Sequence, residues 1–139
     1  VNTPGNPTGK VFSKEELTRI GKSCKANNAL IVTDEIYEYM TYDGHTHTSA
    51  ASLPGLKDHT ITIGGYSKTF AITGWRIGFL AAPRHIIERL VAIVDNIYVC
   101  APAPLQLYTN FGEFCIRYMS SLRSLRKSLS DTYCIVDVH

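Results

Sequence analysis

The chain has 139 residues, enough for one domain with a sizeable core. Lysine plus arginine number 14 against 12 aspartates and glutamates, and a net charge of +2 gives no general case for a nucleic-acid or membrane partner. No stretch has the length of a transmembrane helix and no signal peptide is visible. Cys24, Cys100, Cys115 and Cys134 form neither a C-x-x-C pair nor a zinc spacing, which fits reduced thiols in the cytoplasm.

Both ends read as cut. There is no starting methionine, and the opening VNTPGNPTG has the composition of a loop that follows a strand. The closing DTYCIVDVH stops inside an apolar periodic pattern. The expectation is a fragment of a longer protein.

In chain order, Ser13-Lys14-Glu15-Glu16 is a capping box, and Leu17, Ile20 and Cys24 then give a helical stripe ending near Asn27-Asn28. Ala29-Leu30-Ile31-Val32-Thr33 is a short continuous apolar run, the pattern of a strand covered on both faces, and it ends in Asp34-Glu35. Tyr37 to Pro54 reads as a mostly polar loop. Within it, His45 and His47 have no cysteine nearby and read as surface residues, so no metal site is expected. Thr60 to Ile63 is the next strand, closed by Gly64-Gly65, and Arg76 to Ala82 is a third, stopped by Pro83. A helix follows with Ile86, Ile87, Leu90, Val91, Val94 and Ile97 on one face. Pro102 and Pro104 break the chain. Helical periodicity returns from Leu105, and Tyr118, Leu122, Leu125, Leu129 and Val136 form a narrow apolar stripe whose basic flank reads as a solvated face. Helices alternating with short buried strands predict an α/β fold.

Lys68 lies in a turn just past the carboxyl end of a buried strand, between Gly64-Gly65 and Phe70-Ala71-Ile72. Ligands bind at that place in open α/β sheets. Partial burial there favours the neutral amine, which attacks carbonyls, whereas an ordinary turn lysine stays solvated and charged. The surrounding GGYSKT is not a phosphate-binding P-loop, because Ser67 and Thr62 stand where glycines are required. It is not a serine-acylase S-x-x-K either, because Gly65 stands where the serine must be. Asp34, a carboxylate ending a buried strand, needs a partner, either a ligand cation or the amides of the next turn, which it would cap. Tyr37 by itself reads as a core or rim aromatic.

Three segments, Asn2-Thr-Pro-Gly-Asn-Pro-Thr-Gly9, Asp34-Glu-Ile-Tyr37 and Ser67-Lys-Thr-Phe-Ala-Ile-Thr-Gly-Trp-Arg-Ile-Gly78, resemble those of class I/II aminotransferases in order and spacing. The segment Ala101-Pro-Ala-Pro-Leu-Gln106 adds to the match. The resemblance implies the mainly parallel, three-layer large domain of fold type I, with residues 1–112 as its carboxyl-terminal part and 113–139 as the start of the helix to the small domain.

It also implies a cofactor, pyridoxal 5'-phosphate, and a reaction that moves an amino group from an amino acid, aspartate- or aromatic-type, to a 2-oxo acid. Lys68 would carry the cofactor as a Schiff base and then shuttle the substrate proton. Asp34 would pair with the pyridine nitrogen, and Tyr37 and Asn6 with the ring oxygen. Asn6 precedes Pro7, a place for a cis peptide. Arg76 would grip the phosphate with its planar fork, and Ser67 would add a hydroxyl. Many relatives carry their phosphate serine where this chain has Gly65. Gly74 and Gly78 read as backbone permissions, and Trp75 as a packing residue.

Relatives are homodimers, and the segment 98–106 resembles the part that approaches the neighbouring site. They keep other site residues upstream of Val1 and beyond His139, so the piece alone is expected to be unstable and inactive. Two alternatives share the fold: a carbon–sulfur lyase or cyclising synthase, and the effector domain of a transcription regulator.

Overall fold

Ser13 starts the first helix through a reciprocal pair of hydrogen bonds. Its hydroxyl accepts the Glu16 N–H at 3.2 Å, and Glu16 Oε2 accepts the Ser13 N–H at 2.9 Å. Two of the amides that a helix start leaves without partners are thereby satisfied. In the structure, a computed structural model describing residues 1–97, 104 and 133–134, this helix, α1, runs Lys14–Ala26. It ends at Asn27, whose side-chain amide donates to the Ser23 carbonyl, and Asn28 takes the left-handed conformation (φ 52°) that asparagine tolerates after a helix. Leu17 and Gly21 are the buried points of its inner face, and Gly21 lets Leu56 pack directly against the helix backbone.

The sheet is built from β1 (Ile31–Asp34), β2 (Thr60–Gly65), β3 (Gly78–Ala81) and β4 (Tyr133–Cys134), in that spatial order. β1 and β2 run parallel, with Asp34 opposite Ile63, while β3 is antiparallel to β2 and β4 to β3. The α/β expectation holds, and the described part of the sheet is mixed. Residues 66–77 contain one short helix and a tight turn, too little for the crossover that a parallel return needs.

The apolar run before Asp34 was expected to be covered on both faces. Ile31, Thr33, Thr60 and Thr62 are buried, whereas Val32 is 47% exposed and Leu30 45%. Burial alternates along both strands, and the 3-10 turn Ala50–Ser52 packs against β2. A continuous apolar run states that both faces need cover but not which segment supplies it.

Two further boundaries differ from expectation. β3 starts at Gly78 rather than Arg76, because Thr73–Trp75 form a 3-10 turn and Arg76 is left-handed (φ 51°). Tyr133–Cys134 pair with Leu80 and Ala81 as a strand inside the stretch expected to be helical. The edge of β3 offers Tyr133 and Cys134 a ladder, which suits an aromatic residue. The remaining readings beyond Ile97 lie outside the described residues: the segment 98–106, the helical periodicity from Leu105, the stripe from Tyr118 and the division at 112.

Helix α3, Arg84–Ile97, begins where the Pro83 carbonyl accepts the Ile86 and Ile87 amides. Ile87 is its buried anchor, Ile86, Leu90 and Val94 are half-covered, and Val91 and Ile97 stay exposed. Among the described residues, no helix is long and apolar enough to cross a membrane.

Candidate active site

Because β1 and β2 are parallel, their carboxyl ends fall on one edge of the sheet. A cleft of about 290 Å³ opens there, lined by Asp34, Gly64, Ser67, Lys68, Thr73 and Arg76, with apolar walls that include Ile36 and Ile77. The edge of a parallel sheet beyond its carboxyl ends is where this architecture binds ligands.

Lys68 sits half-buried on the one-turn helix α2, Tyr66–Thr69. The turn that carries it is tied at several points. Tyr66 N–H donates to the Ile77 carbonyl at 3.2 Å, and Thr73 Oγ1 donates to the Ser67 carbonyl at 3.1 Å. Ser67 is buried at 9% exposure. Ala71 (φ 55°) and Arg76 (φ 51°) both take the left-handed conformation without being glycine, at about 1–3 kcal/mol each. Arg76 is exposed and steadied by Nη1 donating to the Thr73 carbonyl at 3.2 Å. Backbone strain of this kind persists where the surrounding contacts over-determine it, and it concentrates at working sites.

Asp34 closes β1 half-buried, and its Oδ1 accepts the Ile36 N–H at 3.1 Å. It therefore caps the turn after the strand with one oxygen while its carboxylate lines the cleft. The opening segment lies beside it. Thr3 N–H donates to the Asp34 carbonyl at 3.1 Å, and Asn2 Nδ2 to the same oxygen at 3.1 Å, forming a parallel bridge between Asn2 and Asp34. Asn2 Oδ1 in turn accepts the Asn6 N–H at 2.7 Å. Asn6 Nδ2 then meets the Tyr37 hydroxyl at 3.2 Å. The Asn6-Pro7 and Thr3-Pro4 peptides are both cis. A second cleft, of about 260 Å³, lies along this side, lined by Pro4, Asn6, Pro7, Tyr37, Met40 and Tyr42. Both clefts flank the turn that joins Asp34 to Tyr37.

Of the six residues singled out from the sequence, Asp34, Ser67, Lys68 and Arg76 share the first cleft, and Asn6 and Tyr37 bond to each other beside the second. Two readings need correction. His47 is not a surface residue: its side chain is 11% exposed, and Nε2 lies 3.0 Å from Glu35 Oε2. The partner is 12 positions away, and no local pattern marks such a pair. Gly74 has open space around it, so no steric need explains it. Gly64 and Gly65, by contrast, are closely approached, Gly64 by the Phe79 ring and Gly65 by Ile36 and Gly78. A Cβ at Gly65 would meet Ile36 Cδ1 at 2.9 Å and Gly78 Cα at 3.3 Å.

Comparison with known proteins decides the family. The model of "Aminotransferase class I and II" matches residues 1–114. This chain belongs to that family. Human kynurenine–oxoglutarate transaminase 1 is 45% identical over 106 residues, 76% of this chain and 25% of the relative. Aromatic-amino-acid aminotransferase 2 of Thermococcus litoralis is 50% identical over 91 residues, 66% of this chain and 23% of the relative. Among solved structures, N-succinyldiaminopimelate aminotransferase of Mycobacterium tuberculosis superposes with a TM-score of 0.79 at 32% identity, covering 94% of this chain and 34% of that one. The chain spans about a quarter of the length of the curated relatives it matches. The fold is that of fold type I aminotransferases, and the family depends on pyridoxal phosphate. These three relatives are named for three different substrates, and neither the lyase nor the regulator alternative gains support from them.

Proposed function

We propose that this aminotransferase-family chain is part of the large domain of an enzyme that uses pyridoxal phosphate to move an amino group from an amino acid to a 2-oxo acid. One observation carries the reading: an amine, a guanidinium, a carboxylate and a buried hydroxyl converge on a single cleft at the sheet edge. Their chemistry fits the cofactor group by group. An amine suits its aldehyde, a carboxylate its ring N–H, and a hydroxyl with a planar guanidinium its phosphate. When bound, pyridoxal phosphate supplies that aldehyde and a positively charged ring that accepts the electron pair freed at the substrate α-carbon.

The chain's own groups then have distinct tasks. Lys68 Nζ would hold the cofactor at its aldehyde and, when free, would carry the proton to and from the substrate α-carbon. Asp34 keeps the ring nitrogen protonated while its cap to Ile36 holds the carboxylate in place. The Tyr37 hydroxyl and the Asn6 amide donate to the ring oxygen and favour its ionised form. Arg76 and Ser67 hold the phosphate. We further infer an aspartate- or aromatic-type donor and a homodimer in the cytoplasm. The Thermococcus litoralis relative's name supports the aromatic choice.

The test is borohydride reduction of the full-length protein loaded with pyridoxal phosphate, followed by peptide mapping. The reading expects the pyridoxyl group on Lys68. A label on another lysine, or none, would contradict it.

A further inference from the structure

We propose that a buried Glu35–His47–Ser49 anchor is a positioning element of this site, fixing Asp34 and Tyr37 by tying the long loop behind them to the end of β1. The cofactor-facing part of this inference rests on the function proposed above; the anchoring part stands without it.

Asp34 and Glu35 are consecutive at a strand end, so their side chains leave on opposite sides. Asp34 lines the cleft, and Glu35 goes inward with only 5% of its side chain exposed. A buried carboxylate is costly unless it is paired and hydrogen-bonded. Both Glu35 oxygens are engaged. Oε2 lies 3.0 Å from His47 Nε2, and Oε1 accepts the Ser49 hydroxyl at 3.1 Å. A carboxylate oxygen only accepts, so Nε2 is the nitrogen that carries hydrogen. His47 Nδ1 is buried with no hydrogen-bond partner among the described residues. The ring is thus held through one bond, aimed at Glu35.

The backbone transmits that anchor to the site. Glu35 N–H donates to the Ile63 carbonyl of β2 at 2.8 Å, and the Glu35 carbonyl accepts the Glu38 N–H at 2.9 Å. Between them lies the Ile36 N–H that caps Asp34, and the Tyr37 carbonyl accepts the Met40 N–H at 2.8 Å. Removing the Glu35 tie takes away the side-chain bonds that hold His47 and Ser49 of the loop against the end of β1. Glu38 lies within electrostatic reach of both His47 and Glu35. Burial raises its carboxyl, His47 opposes the rise, and Glu35 adds to it. Among the described residues, no three such side chains are placed to share a metal ion, so the cluster acts as a brace.

The test compares His47→Ala and His47→Gln in the full-length protein; glutamine keeps a donor near the Nε2 position. Hydrogen exchange at the Ile36, Glu38 and Met40 amides needs no cofactor. His47→Ala should speed it about tenfold or more while the α1 amides stay unchanged. With pyridoxal phosphate added, the same variant should bind it more weakly and move the pH midpoint of its visible absorbance, and His47→Gln should restore both. Ser49→Ala, which removes one of two donors, gives a milder version of the same pattern if His47→Ala fails to fold. Unchanged exchange at residues 36–40, or a lower melting temperature with affinity and midpoint unmoved, overturns the proposal. A wild-type protein that takes up no cofactor defeats the functional reading, and the exchange measurement still decides the anchor.

Discussion

Replacing Gly65 with alanine isolates how tightly the Lys68 turn is seated. Gly65 has φ −177° and ψ 170°, extended backbone that any residue adopts, so the substitution carries no conformational penalty. Its cost is steric. The new Cβ lies 2.9 Å from Ile36 Cδ1, 3.3 Å from Gly78 Cα and 3.4 Å from the Ile77 carbonyl oxygen. Only the first contact is severe, and it involves a single methyl group. Overpacking of this kind costs about 1–3 kcal/mol. Gly65 is also the residue from which α2 starts, so the displacement reaches Ser67 and Lys68. Pyridoxal phosphate titrated into the full-length apoprotein should therefore bind about 5- to 150-fold more weakly in Gly65→Ala. Ile36→Val removes the offending Cδ1 and leaves contacts of 3.3 Å and longer. The double variant should recover most of the lost affinity, with an interaction energy of about 1–2 kcal/mol. Wild-type affinity in Gly65→Ala, or no recovery in the double variant, would refute the reasoning.

Two other substitutions test separate parts of the structure. Ser13→Ala removes one half of the capping box and should destabilise α1 by about 1 kcal/mol, read as faster amide exchange in its first turn; an unchanged rate would show that the cap is idle. For Glu38, burial raises the carboxyl above its ordinary 4.5. Its contribution to stability is therefore complete below pH 4.5 and is lost as pH rises through the raised folded-state value. Glu38→Gln, which cannot ionise, should match the wild type in melting temperature at low pH and exceed it increasingly above pH 4.5. A constant gap, or one of opposite sign, would contradict that assignment.

What could be read from the sequence was local. The Ser13–Glu16 box, the α3 stripe around Ile87 and the Gly64-Gly65 strand end each lie within a few residues, where periodicity and capping chemistry operate. That the candidate residues gather at one sheet edge was legible only through three short segments together, since Asn6 meets Tyr37 across 31 positions and no spacing rule reaches that far. The Glu35–His47 pair was missed because His47 sits in a polar stretch that looks solvated by itself, 12 positions from its partner. The start of β3 was misread because Arg76 and Ala71 adopt a conformation that only glycine would have announced. Val32 looked like the centre of a covered strand because hydrophobicity records a need for burial, not the segment that meets it.

The most direct measurement is amino-group transfer by Lys68→Ala in the full-length protein supplied with pyridoxal phosphate. Without that amine to bond the aldehyde and carry the proton, turnover should fall by at least about a hundredfold and the cofactor should wash out on dialysis. Turnover close to that of the unaltered protein would mean that the chemistry resides elsewhere.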